Sequence, residues 1–263
     1  MSRELVLIRT IDAAPEKLYR AWTEPELLMQ WFTPRPWTVA SAEAWPGLSD
    51  ELRRSTGIDV HLEQPGGFHI ALSEAELEAR TNTLRRFHNQ PGGAQYQTEI
   101  MGREKAARDL PAIGPDVVGG SYCPLDGHVN SLKLLHALHR ALTSGGGRYL
   151  PNAKLAGATA KPNDFRLSTP AGDIVASRVV LAAGLGNREL APLFGLSAPV
   201  VPNKGQVLVT ERARQILPMP TTFIRQTGEG TIMMGDSKED AGFDVSQSPD
   251  VMAAIPARAV ASF

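Results

Sequence analysis

Apolar and polar positions change period several times along the chain, and each change predicts an element. Over Glu4–Ile11 a loosely alternating, β-branched run around Leu5, Val6, Leu7 and Ile8 reads as a strand. Asp12-Ala13-Ala14-Pro15 makes a turn and a helix start, with Pro15 in the first turn. Leu18, Ala21 and Trp22 then share a helical face, and Pro25 opens a second short helix through Leu28 and Trp31. Leu72–Phe87 is predicted as a charged amphipathic helix, with Ser73 and Glu76 at capping-box spacing. Ser131–Thr143 places Leu132, Leu135, Leu138 and Leu142 on one helical face, and Gly145–Gly147 ends it. Phe165–Thr169 and Ile174–Val180 flank Pro170–Asp173, a hairpin in which Gly172 is free to take positive φ. From Val179 to Ala183 the pattern is continuously apolar, as in a parallel-sheet strand buried on both faces and ending at Gly184. Gly205–Thr210, Thr221–Gln226 and Thr231–Gly235 predict a second, antiparallel sheet, its last two strands joined across Thr227–Gly230. The fold class is α/β, with mixed elements.

At 263 residues the chain is one large domain or two modest ones, and its 42% apolar and 21% charged residues are ordinary for a globular protein. A net charge of −1 lacks the basic footprint of nucleic-acid binding. One cysteine, Cys123, excludes an internal disulfide and a Cys-rich zinc site, which suits a reducing compartment. No apolar run approaches the roughly 18–20 residues of a spanning helix, and the start lacks a signal-peptide core, so a soluble, cytoplasmic chain is expected. All four tryptophans fall within the first 45 residues. That usage sets a join near Ala40–Trp45, dividing 1–43 from 44–263.

Candidate chemistry is concentrated in Ala176–Leu190, "ASRVVLAAGLGNREL". A buried strand running into Ala182-Ala183-Gly184 lets a ligand approach the backbone closely. Gly184 and Gly186 match the first two glycines of a dinucleotide fingerprint, whereas Glu189 stands in place of the third. His136 and His139, three apart on the leucine-rich helix with His128 nearby, have no third ligand at a matching spacing, so no metal is assigned. Cys123 reads as a buried thiol. Neither a Gly-x-Ser-x-Gly elbow nor a Walker loop is present.

Two resemblances add to this reading. "RTIDAAPEKLYRAWTEPELLMQWF" resembles the opening of START-like helix-grip domains, which implies a strand and two short helices over about residues 1–40. From Trp45 to Phe263 five runs resemble, in order, the FAD-dependent amino-acid oxidoreductase family, which includes D-amino-acid dehydrogenases, glycine oxidase and opine oxidase subunits. They are "GGFHIAL" (Gly66–Leu72), "PLDGHVNSLKLLHAL" (Pro124–Leu138), "GDIVASRVVLAAG" (Gly172–Gly184), "VPNKGQVLVTE" (Val201–Glu211) and "GTIMMGDSKEDAGFD" (Gly230–Asp244).

The second resemblance implies a Rossmann-like FAD domain with an antiparallel substrate sheet, and FAD as cofactor. It places Ala182, Ala183 and Gly184 against FAD, Leu155 where the backbone meets the adenine, and Arg225 and Gln226 on a strand approaching the substrate. The implied reaction is hydride transfer from a substrate Cα–H to the flavin, leaving an imine that water hydrolyses. No catalytic acid or base is singled out. The family's Gly-x-Gly-x-x-Gly opening and its later substrate-binding arginine have no counterpart in these 263 residues, so the expectation is an incomplete site and weak FAD binding by this chain alone, with the question of a partner subunit left open. Two other readings stand beside it: a START-like binder of an apolar ligand or chaperone, and an inactive fusion product.

Overall fold

The computed structural model describes residues 6–8, 39–89, 97–161, 163–235 and 237–263. Along the chain these form β1 (Val6–Ile8), α1 (Val39–Thr56), β2 (Gly67–Ala71), α2 (Glu74–His88), β3 (Glu99–Gly102), α3 (Arg103–Asp109), β4 (Gly119–Cys123) and α4 (Ser131–Ser144). There follow β5 (Arg148–Leu150), β6 (Gly157–Ala160), β7 (Phe165–Thr169), β8 (Gly172–Ala176), α5 (Asn187–Leu190), β9 (Leu208–Arg212), β10 (Ile224–Gln226), β11 (Thr231–Met234) and α6 (Pro249–Ser262). The described residues fall into two compact units, one holding 6–8, 139–204 and 239–245, the other 39–138, 205–238 and 246–263. The two helices expected before Trp31 lie outside the described residues, as does most of the strand expected over Glu4–Ile11. The expected join near Ala40–Trp45 falls in α1, which runs on through Pro46.

The larger unit contains two antiparallel three-stranded sheets, β2-β4-β3 and β10-β11-β9. The second is the sheet that the 205–235 pattern predicts. Its core gathers Phe68 and Ile70 of β2, Met101 of β3, Ala106 and Leu110 around α3, and Phe223 and Ile224 at β10. β4 carries glycine for steric reasons: a Cβ on Gly120 would collide with the His69 carbonyl and the Phe68 ring across the ladder.

The helix starts follow from capping. Ser73 Oγ accepts the Glu76 N–H at 3.2 Å and so holds an orphan donor of α2, while Glu76 Oε2 accepts at 3.0 Å the N–H of Leu72, one residue ahead of the Ser73 N–H that a full capping box engages. Asn130 Oδ1 accepts the Lys133 N–H at 3.1 Å and fixes the start of α4. Gly146, at φ +81°, ends α4 as its sequence predicts.

In the smaller unit β6, β7 and β8 form an antiparallel sheet, and β1 pairs with β5. The predicted hairpin is present, with Gly172 at φ +109°. The run Val179–Ala183 lies in no helix and, among the described residues, pairs with no strand; the ladders that join the strands are all antiparallel. Val180 is 65% exposed, not buried on both faces. Apolar character favours burial, but a strand also needs a neighbour whose N–H and C=O groups complete its ladder.

Candidate active site

Residues 60–63 lie antiparallel beside 128–130. The Glu63 N–H donates to the His128 carbonyl at 2.9 Å, the His128 N–H returns to the Glu63 carbonyl at 2.8 Å, and the Asn130 N–H reaches Val60 O at 3.0 Å. His61 sits at φ +51°, with its N–H held by Asp59 Oδ1 at 2.8 Å, a side-chain turn that offsets the left-handed backbone. Facing these residues, the hairpin between β10 and β11 brings up Arg225, Thr227, Gly228 and Glu229. Together with His61, His128 and Asn130 they line a small, open concavity within the larger unit.

Its charges are arranged unevenly. On one side Lys133, in the first turn of α4, lies 3.2 Å from Glu229 Oε1 and donates to His61 Nε2 at 2.8 Å. On the other, His128 Nε2 is 3.5 Å from Glu63 Oε2, with the imidazole only 10% exposed. Burial pushes the His128 pKa below its ordinary value; the Glu63 carboxylate opposes that shift and the Arg225 guanidinium adds to it. The net direction favours the neutral imidazole.

Arg225 and Gln226, adjacent on β10, have different surroundings. Arg225 is half-buried; its Nη1 donates to Val129 O at 3.1 Å and its Nη2 meets Met233 Sδ at 3.1 Å. Among the described residues its partners include no carboxylate, which leaves a guanidinium in a concavity with unused donors. Gln226 is 2% exposed. Its Oε1 accepts the Ile216 and Leu217 N–H groups at 2.8 and 3.2 Å, and its Nε2 donates to Arg214 O and Gly230 O at 2.9 and 3.1 Å. That amide braces the backbone and has no atom left for a ligand.

The residues expected beside FAD lie in the smaller unit. Ala182 and Gly184 are exposed, and Leu155 and Ala183 are half-buried. Gly184 takes φ +57°, and a Cβ placed on it meets nothing within 4 Å. Asn187 braces the turn, accepting the Ala183 N–H at 3.1 Å and donating to Leu181 O at 3.2 Å. An open, side-chain-poor edge of this kind leaves the backbone accessible to a flat ligand.

His136 and His139 are exposed on α4, and the His139 ring stacks edge-on against Tyr149 at 4.8 Å. Cys123 is buried, and burial raises its thiol pKa. The Glu63–His128 and Lys133–Glu229 pairings were not evident in the sequence, since the partners are far apart in the chain. The only local signal is Asn130-Ser131, a helix start just after His128.

The profile of the family described as FAD dependent oxidoreductase matches residues 19–263, beginning inside the stretch that resembles START-like domains. The chain is 43% identical over 227 residues to a subunit of opine oxidase from Agrobacterium tumefaciens (strain Ach5), covering 86% of this chain and 61% of that protein. To the opine oxidase subunit of the same designation in Rhizobium meliloti it is 40% identical, with the same coverage. Its fold is similar to the crystal structure of glycine oxidase from Geobacillus kaustophilus, with a TM-score of 0.77 at 24% identity over 88% of this chain and 64% of that one. The chain thus spans about three fifths of the length of the curated relatives it matches.

Proposed function

The chain belongs to the family of FAD-dependent oxidoreductases, and on that footing we propose that it is part of an enzyme oxidising a small amine-bearing carboxylate: glycine, a D-amino acid or an opine-type N-substituted amino acid. The observation that carries the proposal is Arg225, a guanidinium lining a concavity with only a carbonyl and a thioether as its described partners. A planar fork of donors suits a substrate carboxylate, and Val129 O and Met233 Sδ fix its direction. Gln226, buried beneath, holds residues 214–217 against the hairpin and so keeps β10 in place.

When bound, FAD supplies the acceptor for the hydride lost from the substrate Cα. Leu155, Ala182, Ala183 and Gly184 are the residues we assign to its binding surface. The relatives' designation as a subunit supports a partner subunit for this chain as well. The ordinary charge balance and single cysteine support a cytoplasmic setting. Among the described residues no helix is long and apolar enough to cross a membrane.

The test is anaerobic addition of glycine, D-amino acids and N-carboxyalkyl amino acids to the FAD-loaded protein, with its partner subunit where one co-purifies. Bleaching of the visible flavin band by at least one of these is expected. A stably bound flavin that none of them bleaches would contradict the proposal.

A further inference from the structure

We propose that His128 is the group that takes the proton from the substrate's ammonium nitrogen, with Glu63 as its positioning residue. The proposal rests on the reading of Arg225 as the carboxylate anchor. An amine near neutral pH is mostly protonated, and loss of hydride from its Cα requires the nitrogen lone pair. One proton must therefore leave before the carbon is oxidised, and the site needs an acceptor for it.

Most groups around the concavity are unsuited. Arg225 is a permanent cation. Lys133 is an ammonium held 3.2 Å from Glu229, and that same carboxylate lies 3.9 Å from His61. The His61 ring already accepts from Lys133 at 2.8 Å.

His128 differs from all of these. Its Nε2 faces Glu63 Oε2 at 3.5 Å, and the carboxylate favours the tautomer with the ring proton on Nε2 and the lone pair on Nδ1. Its main chain is tied to Glu63 by two hydrogen bonds of 2.9 and 2.8 Å. The carbonyl of the next residue, Val129, takes Arg225 Nη1 at 3.1 Å. Base and anchor are thus set by consecutive residues of one segment. Burial and Arg225 keep the imidazole in its accepting form, while Glu63 stabilises the imidazolium once formed.

The step balances simply. The N–H bond of the ammonium breaks, the pair stays on nitrogen, and the proton bonds to Nδ1. Glu63, 49% exposed, offers a route for that charge to solvent.

The test compares wild type with His128→Gln and Arg225→Met in the FAD-loaded protein. His128→Gln should lower kcat/KM for the best amine substrate by about 100-fold or more and abolish the acid-side limb of its pH profile. Its affinity for acetate, a carboxylate without an amine, should stay unchanged. In the wild type, 15N spectra of the His128 ring should show its pKa rising when acetate binds, because an anion now lies beside it. If acetate binds through Arg225 yet His128→Gln keeps rate and limb, His128 is not the acceptor while the anchor stands. If acetate binding ignores Arg225→Met, the anchor fails and this proposal falls with it. Should the variant not fold, a His128 pKa indifferent to bound acetate would overturn the proposal by itself.

Discussion

Arg258 grips Glu76 with both prongs: Nη1 lies 3.2 Å from Oε1 and Nη2 lies 3.1 Å from Oε2. The same guanidinium covers the Phe223 ring at 4.9 Å, while Glu76 Oε2 also caps the Leu72 N–H. One carboxylate thereby serves the start of α2 and its attachment to α6. Both side chains are more than a third exposed, so solvent screens the pair. Arg258→Met should cost about 1 kcal/mol, the sum of a screened ion pair and a cation–π contact. Urea denaturation at neutral pH measures this; an unchanged midpoint would contradict it.

The same pair predicts a pH dependence. The Arg258 hydrogen bond holds the Glu76 pKa below 4.5, burial works against that, and the Leu72 N–H adds to the lowering. A folded pKa below the unfolded one gives stability that is present above about pH 4.5 and lost as pH falls through the folded value. Glu76→Gln should remove this part of the acid sensitivity, so the gap between wild type and variant narrows as pH drops below 4. A gap that is constant from pH 7 to 3 would argue against the coupling.

Gln226 is predicted to matter for stability. Truncation to Leu leaves the Ile216 and Leu217 N–H groups and the Arg214 and Gly230 carbonyls without their partner. Of these only the Leu217 and Gly230 bonds are fully buried, and an unsatisfied buried group costs about 1–3 kcal/mol, so a total loss of roughly 3 kcal/mol is expected. Thermal melting checks it. A variant that melts normally but binds substrate poorly would restore Gln226 as a ligand contact.

Local elements were legible in the sequence wherever the signal was local. The Ser73 cap on the Glu76 N–H, the leucine period of α4 and the Pro170–Asp173 hairpin each act within a few residues, and each is found close to where it was expected. The run Val179–Ala183 misled because hydrophobicity reports burial preference and not the presence of a neighbouring strand. For Arg225 and Gln226, one residue apart, the sequence gives no means of telling which faces the concavity. That depends on where residues 213–217 and Val129 lie. The Glu63–His128 bridge joins segments whose mutual position only the fold determines.

At Gly184 the prediction separates stability from cofactor binding. Its φ of +57° makes Gly184→Ala cost about 1 kcal/mol, with no steric clash because the space around it is open. A bulkier Gly184→Val would fill the space assigned to the flavin cofactor and weaken FAD binding about tenfold or more, worth about 1.4 kcal/mol. Flavin fluorescence titration decides. Equal FAD affinity in both variants would move the cofactor away from this edge.

The central claim is that Arg225 anchors the substrate carboxylate, and steady-state kinetics of Arg225→Met and Arg225→Lys in the FAD-loaded enzyme test it most directly. Loss of a charge-assisted pair in a partly buried site costs about 2–5 kcal/mol, so KM should rise on the order of 30-fold or more. FAD content should be unchanged, and Lys should restore only part of the affinity because it lacks the planar fork. A KM within about twofold of wild type in Arg225→Met, a change of under 0.5 kcal/mol, would contradict the account.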